Sequence, residues 1–390
     1  MNSITEGKTA AIIAEYNPFH NGHRLHIART RDFCGAETVV VIMSGNFVQR
    51  GDCAICDKFS RTRMALSGGA DLVLELPTAY AVANAQRFAE GGVRVAKAFA
   101  CVDTLAFGSE TEDLRVLETA ANALRSERVN ALVAEEMKRG GCYPHAVEAA
   151  VREVYGDDIA AAVSSPNNIL AVEYLRALRG TSIRPLPVRR QGVSHDSAEV
   201  SGRYASASRI REMLRTGADV SRYLPEIPGS ITRPELLDRA ILYRLRTMTA
   251  EELRALPDVG EGLENRILEA ARRCGSVEEL LGSVKTKRYT HARLRRILAC
   301  ALLGVTERLQ TGEWDYVRVL GFSDRGAGLL CSCRGEIITS PAKSLRENGR
   351  NSEYLRLDIR AADLAALAYE EIKPAGTDFC TKILRPDTAL

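Results

Sequence analysis

The sequence lacks the features that direct a chain into a membrane or through one. No apolar stretch approaches the roughly 20 residues that span a bilayer. The first ten residues, MNSITEGKTA, have no apolar centre of the kind found in signal peptides. The net charge is only +3, which excludes a globally basic nucleic-acid-binding protein, so any basic surface must be local. We therefore expect a cytoplasmic protein without membrane association.

The sequence also lacks a convincing disulfide or zinc framework. Its ten cysteines are scattered, and in a large cytosolic chain most of them are expected to be reduced, small apolar core residues. Cys53 and Cys56 have a zinc or redox spacing, but no second pair of that spacing exists. Cys331 and Cys333 are too close together to complete a site. We therefore expect these cysteines to be buried apolar residues.

Apolar runs alternate with helix-type patterns through the first half of this 390-residue chain, whose length predicts two or three domains. Strands that are apolar throughout indicate a parallel sheet covered on both faces. The sequence therefore predicts an α/β, Rossmann-like parallel sheet. The strand candidates are residues 10–14, 38–43, 70–76, 101–107 and 184–190, and the helix candidates between them are 24–33, 58–66 and 81–99.

The most informative segment is IIAEYNPFHNGHRLH, residues 12–26, in which a strand-type run meets a turn and then a helix-type pattern. Three of the six histidines, His20, His23 and His26, lie within seven residues. A helix N-terminus presents free N–H groups and partial positive charge, which suit phosphate. Gly22 lacks a Cβ and would let a nucleotide approach the backbone. A pair of surface histidines and a zinc site are the alternatives, but no cysteine or carboxylate completes a zinc set.

Polar residues follow three of the predicted strands, and ligands bind beyond the carboxyl ends of such strands. Candidate site segments are therefore 17–23, 44–46 and 108–110. We predict a catalytic domain over residues 1–230 with a helical insertion at about 112–160. A helical region is expected over 231–312, and a small α+β region, with strand candidates at 317–320 and 336–339, over 313–390.

A basic segment, KTKRYTHARLRR, spans residues 285–296 and contains six basic residues, one tyrosine and no acidic residue. Apolar residues at helical spacing from Leu294 to Leu302 predict a helix with one buried face. Basic groups clustered with an aromatic ring fit contacts with a nucleic-acid backbone and stacking on a base. A solvated helix face is the alternative. Residues 257–262 resemble the phosphate-gripping hairpin of helix-hairpin-helix modules.

Six motifs taken together resemble the bacterial tRNA(Met) cytidine acetate ligase family. They occur in order between about residues 10 and 320: EYNPFHNGH (15–23), MSGNFVQRG (43–51), GADLVLELP (69–77), FGSE (107–110), SPNNILAVEYL (165–175) and KTKRYTHARLRRIL (285–298). The resemblance implies a class I nucleotidyltransferase fold of the HUP type. It implies an enzyme that activates acetate with ATP and transfers the acetyl group to N4 of the wobble cytidine of elongator tRNA(Met).

The resemblance also assigns residues. His20 and His23 would be catalytic, and Ser206, Ser208 and Arg211 resemble a second phosphate-contacting signature. The implied ATP contacts are Ile13, Ala14, Glu15, Tyr16, Asn17, Pro18, Phe19, His20, Asn21, Gly22, His23, Arg24, Leu25, His26, Gly108, Asn168, Arg189 and Arg190. The implied tRNA contacts are Lys285, Lys287, Arg288, Tyr289, Arg293, Arg295 and Arg296. Lys58 and Arg61 belong to a basic helix face, which fits a solvent-exposed helix surface and a tRNA contact equally well.

Mg²⁺ is expected with ATP, because it bridges phosphates and needs few protein ligands. No obligate protein partner is expected. The chain departs from the family pattern in the loop 192–196, where Ser194 stands in place of an expected tyrosine.

Two other functions remain open from the residues alone. A small-molecule adenylyltransferase would need little beyond the first domain, and the chain after residue 231 argues against it. A non-catalytic RNA-binding protein on the same scaffold would not need His20, Gly22 and His23 together.

Overall fold

A computed structural model describes residues 7–189, 200–260, 262–286, 288–347 and 352–386. Its strands, in chain order, are β1 (Thr9–Ala14), β2 (Thr38–Ser44), β3 (Leu72–Leu76), β4 (Val102–Ser109), β5 (Arg184–Arg189), β6 (Val200–Ser201), β7 (Tyr204–Ala205), β8 (Tyr316–Phe322) and β9 (Glu336–Ile338). Seven of them form one sheet in the order β5-β4-β1-β2-β3-β8-β9, and β6 pairs with β7 in a small hairpin.

The first five strands are mutually parallel, as the sequence predicts. Every residue of β2 and β3 is buried, which matches their continuous apolar sequences. The order places β1 between β2 and β4, so the chain reverses direction across the sheet at β1. Parallel sheets bind ligands beyond the carboxyl ends of their strands at such a switch point, and the histidine segment lies there.

Twenty α-helices surround the sheet in the described part of the chain. They are α1 (Asn21–Cys34), α2 (Lys58–Ser67), α3 (Thr78–Ala81), α4 (Ala85–Lys97), α5 (Leu114–Ala123), α6 (Glu127–Lys138), α7 (Tyr143–Tyr155), α8 (Asp157–Ser164), α9 (Pro166–Ala177), α10 (Ala207–Arg215), α11 (Asp238–Thr247), α12 (Ala250–Arg254), α13 (Leu263–Arg273), α14 (Val277–Val284), α15 (His291–Leu303), α16 (Glu307–Thr311), α17 (Asp324–Leu329), α18 (Pro341–Arg346), α19 (Ser352–Ala365) and α20 (Thr377–Cys380). Within the described ranges, no helix is both long and apolar enough to cross a bilayer.

Two groups of helices have hydrophobic cores of their own. Helices α5 to α8 cover the predicted insertion and enclose a small cluster that includes Val129 and Val151. Helices α11 to α15 enclose a second cluster, which includes Leu263, Ile267 and Ile297. The amphipathic patterns of these helices therefore reflect local cores in large part, and residues such as Leu117 of α5, Ala162 of α8 and Leu303 of α15 also join the core around the sheet.

The small α+β region predicted over residues 313–390 contributes two strands, β8 and β9, to the main sheet. Strand β8 pairs antiparallel with β3, and β9 pairs parallel with β8, so both extend the main sheet. Without β8, strand β3 would leave a row of unpaired N–H and C=O groups at the sheet edge. The apolar run at 317–320 predicts a strand, but it contains no information about which strand it joins.

Candidate active site

A cavity of about 730 Å³ opens at the carboxyl ends of β1, β4 and β5. Its volume lies within the usual range for small-molecule sites. The cavity brings together many of the residues predicted for ATP or phosphate: Ile13, Ala14, Glu15, Tyr16, Asn17, His20, Gly22, His23, Leu25, His26, Gly108, Arg189, Ser206 and Arg211.

The two central histidines cap helix α1 and stack on each other. His20 is the N-cap residue, and its Nδ1 accepts a hydrogen bond from Gly22 N at 3.0 Å. His23 Nδ1 in turn accepts from His20 N at 3.3 Å, and the ring centroids are 3.8 Å apart. A ring nitrogen that accepts carries no proton, so in each neutral ring the proton belongs on Nε2. Each histidine therefore holds an Nε2–H donor while its Nδ1 organises the helix start.

Gly22 is required by the position of the His20 ring. A Cβ at residue 22 would lie 2.8 Å from His20 Cε1 and 3.0 Å from His20 Nδ1. The sequence suggests that this glycine leaves room for a nucleotide, and the structure adds that it leaves room for the capping imidazole. The rings of Tyr16 and Phe19 pack against the His23 ring, with centroid distances of 4.7 and 5.8 Å.

Some predicted ATP contacts hold the loops instead of facing the cavity. Phe19 is fully buried in the core, and the Asn21 side chain donates to the carbonyls of Arg203 and Arg222. Asn168 Oδ1 accepts from Glu110 N at 2.9 Å, which fixes the end of β4. Pro18, Arg24 and Ser208 also lie outside the cavity lining, so direct contact is not supported for these six residues.

Asn17 lines the cavity, but its side chain has a structural partner. Its Oδ1 accepts from Ile55 N at 2.7 Å, and its carbonyl accepts from Arg211 Nη1 at 2.8 Å. Asn17 therefore fixes the loop after β2 and orients Arg211. The predicted contact of Asn17 with ATP stays a prediction.

The cavity is strongly cationic. Six arginines line it, against two carboxylates, Glu15 and Asp52, in the described wall: Arg29, Arg50, Arg189, Arg211, Arg215 and Arg296. Burial lowers the pKa of Arg211, although a guanidinium stays charged in proteins. This excess of positive charge suits a polyanion such as a triphosphate.

Sequence reasoning missed three of these arginines as site residues. Arg215 follows Arg211 by four residues on α10, and Arg29 follows His26 by three on α1, so helical spacing places each pair on one face. Arg50 belongs to the polar segment after β2, four residues beyond the candidate segment 44–46. The helical spacings of Arg215 and Arg29 are the signals by which the sequence could have identified these two residues.

Ser206 supplies a second helix start at the cavity wall. It is the N-cap of α10, and its Oγ accepts from Arg209 N at 3.1 Å and lies 3.0 Å from Ser208 Oγ. The N–H groups of a helix start favour anions. Ser206 and Arg211 thus line the cavity, whereas Ser208 does not, and the phosphate role of Ser206 and Arg211 stays a prediction.

Lys58 and Arg61 are fully buried, which corrects both interpretations of them as surface residues. Lys58 Nζ lies 2.8 Å from Glu75 Oε1 and 3.0 Å from Asp378 Oδ2. Neither cation can reach tRNA from the protein interior. The sequence shows a helix with three basic residues, but it does not show that β3, β8 and α20 cover that helix.

Arg61 holds the carboxyl ends of β1 and β2 together. Its Nη1 donates to the carbonyls of Glu15 and Ser44 at 2.7 and 3.0 Å, and its Nη2 donates to the carbonyl of Gly45. Its Nε donates to the carbonyl of Cys56 at 3.1 Å. Arg61 therefore shapes the cavity by fixing the backbone around it and not by contacting a ligand.

The basic segment is only partly a surface. Tyr289 is buried in the helical core beneath Arg293, whose guanidinium carbon lies 5.3 Å from the centroid of its ring, so the expected stacking on a base is not supported. Lys285 and Arg288 are exposed. Lys287, Arg190 and the loop at 192–196 lie outside the described residues.

Cys53 and Cys56 are buried, as the sequence favours. Burial raises the pKa of each thiol to about 12, so neither forms a thiolate near neutral pH. Redox or nucleophilic chemistry at this pair is therefore disfavoured by its surroundings.

Comparisons with known proteins give the same family that the sequence motifs resemble. A family model described as HIGH Nucleotidyl Transferase matches residues 7–378. The tRNA(Met) cytidine acetate ligase of Thermoanaerobacter sp. (strain X514) is 36% identical over 398 residues, which cover 96% of this chain and 98% of the relative. That of Acetivibrio thermocellus is 36% identical over 412 residues, covering 97% and 99%.

Two solved structures share the fold. The crystal structure of Thermotoga maritima TmcAL in its apo form I has a TM-score of 0.89 at 29% identity, covering 97% of this chain and 100% of that one. The same protein bound with alpha-thio ATP gives 0.87 at 28% identity, covering 97% and 99%.

Proposed function

The chain belongs to the HIGH nucleotidyltransferase family and, within it, to the tRNA(Met) cytidine acetate ligases, and from this premise we propose how its cavity performs the reaction. The enzyme is an ATP-dependent ligase that forms acetyl-adenylate and then N4-acetylcytidine in elongator tRNA(Met). The observation that carries the site assignment is the stacked pair His20 and His23, at the start of α1, in a cavity lined by six arginines.

In the first half-reaction, an acetate oxygen attacks the α-phosphorus of ATP. The bond from that phosphorus to the bridging oxygen breaks, and diphosphate leaves. Negative charge builds on the phosphoryl oxygens, so catalysis depends on positioning and electrostatic stabilisation. The Nε2–H groups of His20 and His23 would donate to these oxygens, while Arg211 and the start of α10 would hold the leaving phosphates.

In the second half-reaction, cytidine N4 attacks the acetyl carbonyl carbon. The bond from that carbon to the phosphate oxygen breaks, AMP leaves as an anion, and N4 gives up one proton. The cavity arginines that stabilise ATP would also stabilise departing AMP, because both present phosphate oxygens. The reaction would take place in the cytoplasm, where ATP and tRNA are available.

Mg²⁺ would enter the cavity bound to the phosphates of ATP. In the described chain, no group of three or more histidine, cysteine or acidic side chains is arranged to hold a metal. The two carboxylates of the wall already have protein partners, Gln49 N for Glu15 and Arg295 for Asp52. A phosphate-held ion fits this wall better than a protein-held one. When bound, the ion would neutralise phosphate charge.

The tRNA would bind across the basic segment 285–296. Lys285 and Arg288 are exposed there, and exposed cations contact phosphates without reading sequence. This assignment places the RNA on the helical region beside the cavity, because α15 belongs to both.

One experiment tests the proposed function. The protein is incubated with ATP and labelled acetate, with and without total bacterial tRNA. ATP-dependent appearance of label in tRNA is the expected result. Diphosphate release without any need for acetate or tRNA would instead indicate a small-molecule adenylyltransferase, and no ATP consumption would indicate a non-catalytic RNA-binding protein.

A further inference from the structure

Helix α15 forms part of the cavity wall, although it lies more than 250 residues after the histidines. Ala292 and Arg296 line the cavity beside the loop that follows β2. Gly51 of that loop has φ +83°, and a Cβ there would lie 2.5 Å from the carbonyl carbon of Arg295 and 2.6 Å from Arg296 N. The loop and the helix are therefore in direct backbone contact, which only glycine permits.

The two adjacent arginines of α15 have different surroundings. Arg295 is held between two carboxylates, with Nη1 3.0 Å from Asp52 Oδ1 and Nη2 2.9 Å from Glu278 Oε2. Among the described residues, Arg296 has one carboxylate partner, Asp258, at 3.2 Å from its Nη2. Its side chain is only 17% exposed. Arg295 thus fastens the helix to the loop, while Arg296 keeps donor capacity.

The Nε–H of Arg296 is buried and has no hydrogen-bond partner within the described ranges. A buried donor without an acceptor costs free energy, and a donor on a charged group costs more than a neutral one. An anionic oxygen in the cavity would satisfy it. Arg211 and Arg215 line the same cavity, so such an oxygen would meet several guanidiniums.

We propose that Arg296 binds an anionic group of a first half-reaction substrate, either a phosphate of ATP or the carboxylate of acetate. It would therefore act in adenylation, in addition to any part that its helix plays in holding RNA. This inference rests on the proposed function, because it requires that ATP and acetate react in this cavity.

The test is acetate-dependent exchange of labelled diphosphate into ATP, measured without tRNA. Arg296→Ala should raise the Michaelis constant for either ATP or acetate by about 10- to 100-fold, which is the loss of affinity expected when a hydrogen bond to a charged group is removed. An increase for ATP identifies a phosphate, and an increase for acetate identifies its carboxylate. Arg296→Lys keeps the charge and should recover part of the loss.

Arg254→Ala is the matched control. Arg254 on α12 pairs with Glu264 on α13 at 3.2 Å across the hairpin 257–262, which contains Asp258, but it does not line the cavity. Its removal should therefore loosen the same hairpin without changing either Michaelis constant. If Arg296→Ala disturbs the fold, as its circular dichroism would show, then Arg296→Gln, which keeps most of the stem, takes its place in the same assay.

Unchanged Michaelis constants for ATP and acetate in folded Arg296 variants would overturn the inference, whatever the effect on tRNA. Equal losses in the Arg254 and Arg296 variants would also overturn it, since they would assign the effect to the hairpin 257–262. A wild-type protein that shows no exchange would instead contradict the proposed function.

Discussion

Replacing Gly22 by alanine should separate activity from stability. The added Cβ would lie 2.8 Å from His20 Cε1, whereas carbon atoms pack at about 3.5–4.0 Å. The His20 ring must therefore move by about 1 Å. A misplacement of that size can cost about 100-fold in rate, so we expect acetate-dependent diphosphate exchange to fall by about that factor.

The stability of the same variant should change little, because two effects oppose each other. Displacing the His20 ring weakens the N-cap of α1, which costs about 1 kcal/mol. Alanine is a better helix former than glycine by about 1 kcal/mol. Urea denaturation should therefore give a free energy of unfolding close to that of the wild type.

Gly282 provides the matched control for this substitution. It lies within α14, and a Cβ there would have no neighbouring atom within 4 Å. Gly282→Ala should raise the free energy of unfolding by about 1 kcal/mol and leave exchange unchanged. Wild-type exchange in Gly22→Ala would show that the position of the His20 ring is not needed for activation.

Three further predictions concern other parts of the molecule. His23→Ala should abolish acetate-dependent exchange while tRNA still binds in a filter assay, and full turnover would refute its catalytic role. Lys58→Ala removes one of the two buried cations, Lys58 and Arg318, that pair with Glu75 and Asp378, and should lower the free energy of unfolding by about 3–5 kcal/mol, measured in urea, whereas substitution of the exposed Lys138 by alanine should change it by less than about 0.5 kcal/mol. Replacing Lys285 and Arg288 by alanine should weaken tRNA binding and reduce the slope of log affinity against log salt by up to about 2, measured by titration; an unchanged slope would place the tRNA elsewhere.

The features that the sequence predicted well are local. Four of the five parallel strands follow from largely apolar runs, whereas β5 (RPLPVR) does not. The histidine pair lies at the end of the first strand because that run stops at a turn. Helix spacing likewise predicted the buried face of α15, where Leu294 and Ile297 are fully buried. In each case the deciding interaction joins residues close together in the chain.

The features that the sequence missed depend on distant partners. The charge of Lys58 is balanced by Glu75 and by Asp378, which is 320 residues away, and the residues around Lys58 in the sequence do not indicate its burial. Tyr289 is likewise covered by a helical core whose packing the basic segment does not reveal. A charged or aromatic residue in a helix pattern can face solvent or a partner, and only the tertiary structure distinguishes the two.

The cationic cavity is the clearest case of a property that arises from folding. Its six arginines come from well-separated segments, between Arg29 and Arg296, in a chain whose net charge is only +3. Bringing like charges together costs free energy, which a bound polyanion would recover. A ligand that binds only the folded state stabilises that state. Relief of this repulsion therefore contributes to the affinity for a triphosphate, and its return opposes the release of diphosphate and AMP, which are also anions.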